Sequence, residues 1–184
     1  MHLQTFPIKK SIQNQMTDRN KSDIKHGYAH HSDESDGHHG VYGSLVKEIQ
    51  KDLAYLRIME SGQKASIGAL ALAYNYVIME DGIAYSVRPP LKVPASQLGD
   101  NTHGISVCFD GNFMQHGCTK EQLVTGKELF KYLVHEYNLE FIHGHRDVAK
   151  MHPGNTGFYA TACPGDFFYH HQLPEIVKYA YGRH

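Results

Sequence analysis

The chain has no excess of charge of either sign: 18 Lys and Arg face 19 Asp and Glu, a formal net charge of −1 with His neutral. It therefore lacks the electrostatic footprint of a nucleic-acid binder or of a protein held on an anionic membrane surface. No apolar run approaches the ~20 residues of a membrane span. The N-terminus, MHLQTFPIKKSIQNQMTDRNKSD, lacks the apolar middle of a signal peptide. Synthesis in the cytoplasm is the expectation, with release or export left to some other agent. Cysteine is scarce and odd in number, with only Cys108, Cys118 and Cys163, so no complete disulfide framework can be drawn. A reducing compartment fits, and a single Cys108–Cys118 bridge stays open. There is no internal repeat, low-complexity segment or Pro-rich linker.

What is present suits one domain with one core: 184 residues, 41% of them hydrophobic. The 15 His would make the chain appreciably cationic in mildly acidic medium. Residues 1 to about 23 are polar and rich in Gln, Asn, Lys and Ser, and read as a flexible arm ahead of a domain spanning 24–184.

Leu45, Ile49, Leu53 and Leu56 recur at helical spacing and predict a helix from Tyr42 to Glu60, with Gly62 as its stop. Tyr74 to Met79 reads as a strand, Glu80-Asp81-Gly82 as a turn and Ile83 to Val87 as the returning strand, ended by Arg88-Pro89-Pro90. Gly104 to Phe109 is another strand. Thr119, with Gln122 three residues on, marks the start of a helix whose apolar face is Leu123, Phe130, Leu133, Val134 and Tyr137. Leu139 to Ile142 is a short strand, and a last helix starts near Pro174. Strands and helices alternate, which predicts an α/β (α+β) domain: a central mixed β-sheet flanked by helices.

Three separated stretches read together as one metal site: His30-His31-Ser32, Gly144-His145-Arg146-Asp147 and Thr161-Ala162-Cys163-Pro164-Gly165. His145 stands just past a strand end, where side chains can converge on a cleft. Pro164-Gly165 is a turn signal that holds Cys163 on a bend. Two imidazoles and one thiolate fill three corners of a tetrahedron around Zn²⁺, and an open fourth corner distinguishes a catalytic zinc from a structural one. With 15 His, any single His is more often a surface or capping residue than a ligand. His38-His39 and His170-His171 read as surface pairs.

Beside these residues stand Tyr74-Asn75-Tyr76-Val77-Ile78 with Asp81-Gly82, Asn101-Thr102-His103-Gly104-Ile105-Ser106-Val107 and Gly111-Asn112-Phe113. In this order, across roughly residues 28 to 169, the chain resembles the zinc-dependent N-acetylmuramoyl-L-alanine amidases, a family that includes phage lysozyme-amidases and the peptidoglycan recognition proteins. The resemblance implies that His30, His145 and Cys163 hold Zn²⁺, and that Tyr74 lies beside the metal-activated water. It implies that Thr161 helps to stabilise the oxyanion. The reaction implied is hydrolysis of the amide between N-acetylmuramic acid and L-alanine, by a monomer whose partner is peptidoglycan or a muropeptide. Nucleic acid and membrane are not partners. A compact enzyme of this kind suits a phage endolysin that reaches the cell wall through a holin-like pore, and a bacterial recycling or lysis enzyme equally.

The chain departs from the family in places. Some relatives carry Glu where this chain has Cys108, which reads here as a core residue of its strand and leaves the proton donor to the leaving amine open. The segment Ile24 to Ala29 is polar for a strand, which predicts one that is short or at an edge. Lys150 to Ala160 is either a substrate-facing loop or inert. Arg146 and Asp147 are expected to hold their loop by hydrogen bonds, and Asn112 and His103 either line a peptide groove or are structural. The alternative to an enzyme is a non-catalytic muropeptide-binding recognition module, against which the presence of Cys163 argues.

Overall fold

The computed structural model describes residues 1–33, 48–151 and 160–182. Among them six strands form one mixed sheet: β1 (Leu3–Thr5), β2 (His26–His31), β3 (Tyr76–Ile78), β4 (Ala84–Ser86), β5 (Gly104–Phe109) and β6 (Phe141–Gly144), in the order β1-β4-β3-β5-β2-β6. Only the β3–β4 hairpin is antiparallel. Every other neighbouring pair is parallel, so β2, β5 and β6 present their C-terminal ends at one edge of the sheet. The helices are α1 (Lys10–Gln13), α2 (Glu48–Ile67), α3 (Lys120–Tyr137), α4 (Val148–Met151) and α5 (Leu173–Ala180), the last preceded by a π-turn over Phe168–Gln172.

One face of the sheet is closed by α3 and α5. Ala29, Ile105, Val107 and Phe109 pack there against Leu129, Phe130, Leu133, Phe168 and Ile176. Thr119 starts α3 as expected: its Oγ1 accepts the Gln122 N–H at 3.1 Å, and Gln122 Oε1 accepts the Thr119 N–H at 3.0 Å. On the other face, Val77, Met79, Tyr85 and Cys108 pack against Tyr55 and Leu56 of α2. That helix leaves the β2–β6 side of the same face to the functional residues.

Several expectations need correction. The helix containing Leu53 and Leu56 does not stop at Gly62 but runs to Ile67. A Cβ at Gly62 would meet nothing within 4 Å, whereas Gly68 takes the left-handed φ of +66° that ends a helix. The expected start, residues 42–47, lies outside the described residues. β2 is neither short nor at an edge: it is six residues long and pairs with β5 on one side and β6 on the other. His26, Tyr28 and His30 alternate onto the functional face, while Gly27, Ala29 and His31 turn to the opposite one. The described cysteines are free. Cys108 and Cys118 belong to the cores on opposite sides of the sheet, which rules out the bridge left open by the sequence.

Residues 1–23, expected as a flexible arm, are packed. Leu3–Thr5 adds a parallel edge strand to β4, and the Phe6 N–H continues the pairing to Ser86 O at 3.0 Å. The Phe6 ring is 2% exposed and lies under the Arg57 guanidinium. Arg19 is buried and donates to the carbonyls of Pro90, Asn101, Thr102 and Gly104, at 2.6 to 3.0 Å. A composition-based reading fails here because a few side chains, Phe6, Met16 and Arg19, do the anchoring within a polar stretch.

Candidate metal centre

The register of the parallel pair β2–β6 sets the first two candidate ligands. Ala29 pairs with Gly144, so the next residues along the two strands, His30 and His145, stand side by side with ring centroids 4.6 Å apart. Gly144 permits the close approach of the third element: a Cβ there would lie 2.7 Å from Tyr169 Cδ2 and 2.8 Å from Pro164 Cδ. Cys163 arrives on the loop before α5. Its Sγ lies 3.7 Å from His30 Nδ1 and accepts the His31 N–H at 3.4 Å. The ligating atoms of His30, His145 and Cys163 all lie within 4.8 Å of one another.

Arg146 fastens this loop to the turn that carries His145. Its backbone N–H donates to Cys163 O at 3.0 Å and its guanidinium to Ala162 O. The guanidinium also pairs with Asp166 at 2.7 Å and lies 4.6 Å over the Tyr169 ring. Asp147 fixes the same turn from behind, accepting from the Gly144 N–H at 2.9 Å, Lys150 Nζ at 2.7 Å and Tyr169 OH at 2.6 Å. Both residues hold the loop by hydrogen bonds, as the sequence suggested.

The structure also separates His30 from its neighbour. His31 alternates to the other side of the strand, where its Nδ1 accepts the Phe113 N–H at 3.3 Å. Burial, followed by repulsion from His145, pushes the His30 imidazole well below its usual pKa. Burial and the nearby His31 bring His145 down to about 4. Both rings are thus neutral at pH 7, with a lone pair available to a metal. Burial pushes the Cys163 thiol up to about 12, although the His31 N–H and Arg146 work against it. Two neutral imidazoles and a thiol that needs a cation to ionise make a donor set suited to a divalent, borderline-soft metal such as Zn²⁺.

The Tyr74 ring lies 5.2 Å from that of His30. Burial, then the proximity of Cys108 and Cys163, hold its hydroxyl protonated well above the usual range. Thr161 Oγ1 accepts the Cys163 N–H at 3.1 Å, and a hydroxyl that accepts still carries a hydrogen to donate. Cys108 is fully buried beneath, a strand core residue as expected. Other candidates are not gathered here. Asn112 Nδ2 bonds Asp33 at 2.8 Å, and His103 pairs with Asp100 at 3.1 Å. His170 and His171 are exposed on the π-turn, while His38, His39 and residues 152–159 of the Lys150–Ala160 segment lie outside the described residues. A cavity of about 380 Å³ lies beside the strand end, lined by Ser32, Tyr55, Ile58, Met59, Gln63 and Ser66. A larger one, about 570 Å³, opens behind the Cys163 loop between Asp147, Tyr169 and α5 and is lined by none of the three candidate ligands.

The family model for N-acetylmuramoyl-L-alanine amidase matches residues 19–166, most of the chain, a span that includes His30, His145 and Cys163. The chain belongs to this amidase family. Among solved structures of similar fold is the amidase LysC from Clostridium intestinale, with a TM-score of 0.69 and 19% identity over 95% of this chain and 96% of that one. Another is peptidoglycan recognition protein-LE in complex with tracheal cytotoxin, with a TM-score of 0.66 and 22% identity over 84% and 81% of the two chains. Peptidoglycan-recognition protein SD of Drosophila simulans is 29% identical over 106 residues, 55% of this chain and 57% of that protein, so the match spans little more than half of its length. One fold is thus shared by proteins named as amidases and proteins named as recognition proteins. The sequence did not flag Gln97, whose buried amide adjoins the His30 ring; it sits in a loop, Pro94-Ala95-Ser96-Gln97, with no periodicity or motif to mark it.

Proposed function

We propose that this chain is a zinc-dependent amidase that hydrolyses the amide bond between N-acetylmuramic acid and L-alanine in peptidoglycan. The observation that carries the reading is the complete donor set, with the ligand atoms of His30, His145 and Cys163 within 4.8 Å of one another, at the open edge of the sheet. His30 and His145 would hold Zn²⁺ through neutral rings and Cys163 through its thiolate. When bound, Zn²⁺ supplies Lewis acidity toward the scissile carbonyl and lowers the pKa of a water to about 7. The chain's own part is to place donors where negative charge develops. The protonated Tyr74 hydroxyl and the spare hydrogen of Thr161 are suited to the oxyanion.

The second reading, a module that binds muropeptide without cutting it, draws support from one feature: the Cys108 position offers a buried thiol, held protonated by burial, and no carboxylate to serve the leaving amine. One experiment separates the two. Purified cell walls are incubated with the zinc-loaded protein and with Cys163→Ala, and free L-Ala amino ends are counted, with mass spectrometry of the released fragments. The enzyme reading requires release by the parent and loss of at least about a thousandfold in the variant. Undiminished release by Cys163→Ala with metal still bound sinks it. Stoichiometric muropeptide binding by the parent without turnover establishes the module instead.

A further inference from the structure

His30 is buried to 1% exposure, and its two ring nitrogens have different surroundings. Nδ1 looks into the ligand cluster, 3.7 Å from Cys163 Sγ. Nε2 is buried and has no hydrogen-bond partner among the described residues. A neutral imidazole carries one proton, so a ring that offers Nδ1 to a metal must carry its hydrogen on Nε2. Leaving that buried N–H without an acceptor is costly, because it has given up its bond to water and gained none.

The Gln97 amide adjoins this ring and is fully buried. Its Oε1 accepts the Ser96 hydroxyl at 2.6 Å and keeps a second lone pair to give, while its Nε2, like that of His30, is buried with no partner among the described residues. The residue is held in place from several directions. Asn101 Oδ1 accepts the N–H groups of Ser96 and Gln97 at 3.1 and 3.0 Å. Ser96 Oγ lies 2.9 Å from Ser106 Oγ on β5. Asn75 bridges onward, its Oδ1 accepting the Ser106 N–H at 3.1 Å and lying 3.5 Å from Arg19 Nη2. The slot is cut to the amide: a Cβ on Gly104 would stand 2.4 Å from Gln97 Nε2.

We propose that Gln97 is the positioning residue of His30: its side-chain oxygen accepts the Nε2 hydrogen and so leaves Nδ1 as the lone-pair nitrogen turned to Cys163 and His145. The inference rests on the metal-site reading above. The buried chain from Arg19 through Asn75, Ser106 and Ser96 to Gln97 then links the N-terminal segment to a ligand it never touches. A partner of this kind orients the ring, fixes its tautomer and raises its basicity toward the metal.

The test compares the parent with Gln97→Met, which fills similar volume without an acceptor, and Gln97→Glu, which keeps an acceptor oxygen. Zinc dissociation constants are measured by chelator competition, and the His30 tautomer by ¹⁵N NMR of the imidazole in the metal-free and zinc-loaded proteins. Gln97→Met should weaken zinc binding about 10- to 100-fold while Gln97→Glu stays near the parent. The metal-free parent should carry the His30 proton on Nε2, and Gln97→Met should show a mixture of tautomers. Folded Gln97→Met that binds zinc as tightly as the parent overturns the inference. So does a metal-free parent protonated on Nδ1, a result that stands even if Gln97→Met does not fold. A parent that binds no zinc at His30, His145 and Cys163 refutes the functional reading instead, while the tautomer of the metal-free ring still decides the role of Gln97.

Discussion

Along β2, Gly27 and Ala29 face α3 and α5, while His26, Tyr28 and His30 face the side where the metal ligands meet. The first side is dry and close-packed: a Cβ on Gly27 would already stand 3.0 Å from Phe130 Cε1. The second side is polar at every step. His26 and Tyr28 both bond Asp100 Oδ2, at 2.7 and 2.6 Å, and His30 joins the ligand cluster. Neighbouring residues of one strand thus serve stability and chemistry separately, because the strand's period of two sends them to opposite faces. Substitutions on the two sides should therefore fail in different ways.

The largest stability effect is expected on the dry side. Phe130→Ala should cost about 3–5 kcal/mol in chemical denaturation while the surviving folded fraction binds zinc normally. The comparison breaks if zinc affinity falls in step with stability. On the polar side, the Asp100 carboxyl is pulled both ways. Burial would raise its pKa, but hydrogen bonds from His26, Tyr28 and His103 outweigh it and hold the group below its ordinary value. A carboxylate depressed in the folded state stabilises the fold above the unfolded value of about 3.9, and that contribution is lost as pH falls through the folded value. Asp100→Asn should thus lose about 2 kcal/mol at neutral pH. Its deficit against the parent should shrink below about pH 4, read from melting temperatures across pH. A deficit that is constant with pH would show that the carboxylate's charge is not what matters. The smallest effect is local to the ligand loop. Arg146→Lys keeps the charge but loses the planar fork that reaches Ala162 O and Asp166 together, and should weaken zinc binding about tenfold with little change in metal-free stability. Unchanged affinity would mean that backbone bonds alone hold Cys163.

Much of the candidate site was legible because its donor residues stand in short motifs. His145 beside Gly144, Cys163 before Pro164-Gly165 and the His30-His31 pair each carry a local signal, and the Thr119–Gln122 capping box is visible for the same reason. What the sequence missed depends on partners far away in the chain. The N-terminal segment looked unstructured by composition, yet Arg19 reaches carbonyls more than seventy residues on. The extension of α2 past Gly62 was missed because glycine's effect depends on φ, and only Gly68 takes the left-handed value.

The residue types alone determined that two imidazoles and a thiol were available to a metal, and that alternating strands and helices would form a mixed sheet. The family resemblance already pointed to His30 of the pair; how it comes to face the other donors, and what stands behind it, was decided by the tertiary structure. Parallel pairing in register sets His30 against His145, the pleat turns His31 toward Phe113, and a loop crossing from β4 to β5 brings Gln97 to the buried nitrogen. Register, face and loop crossing arise from contacts between distant segments, and no local pattern encodes them.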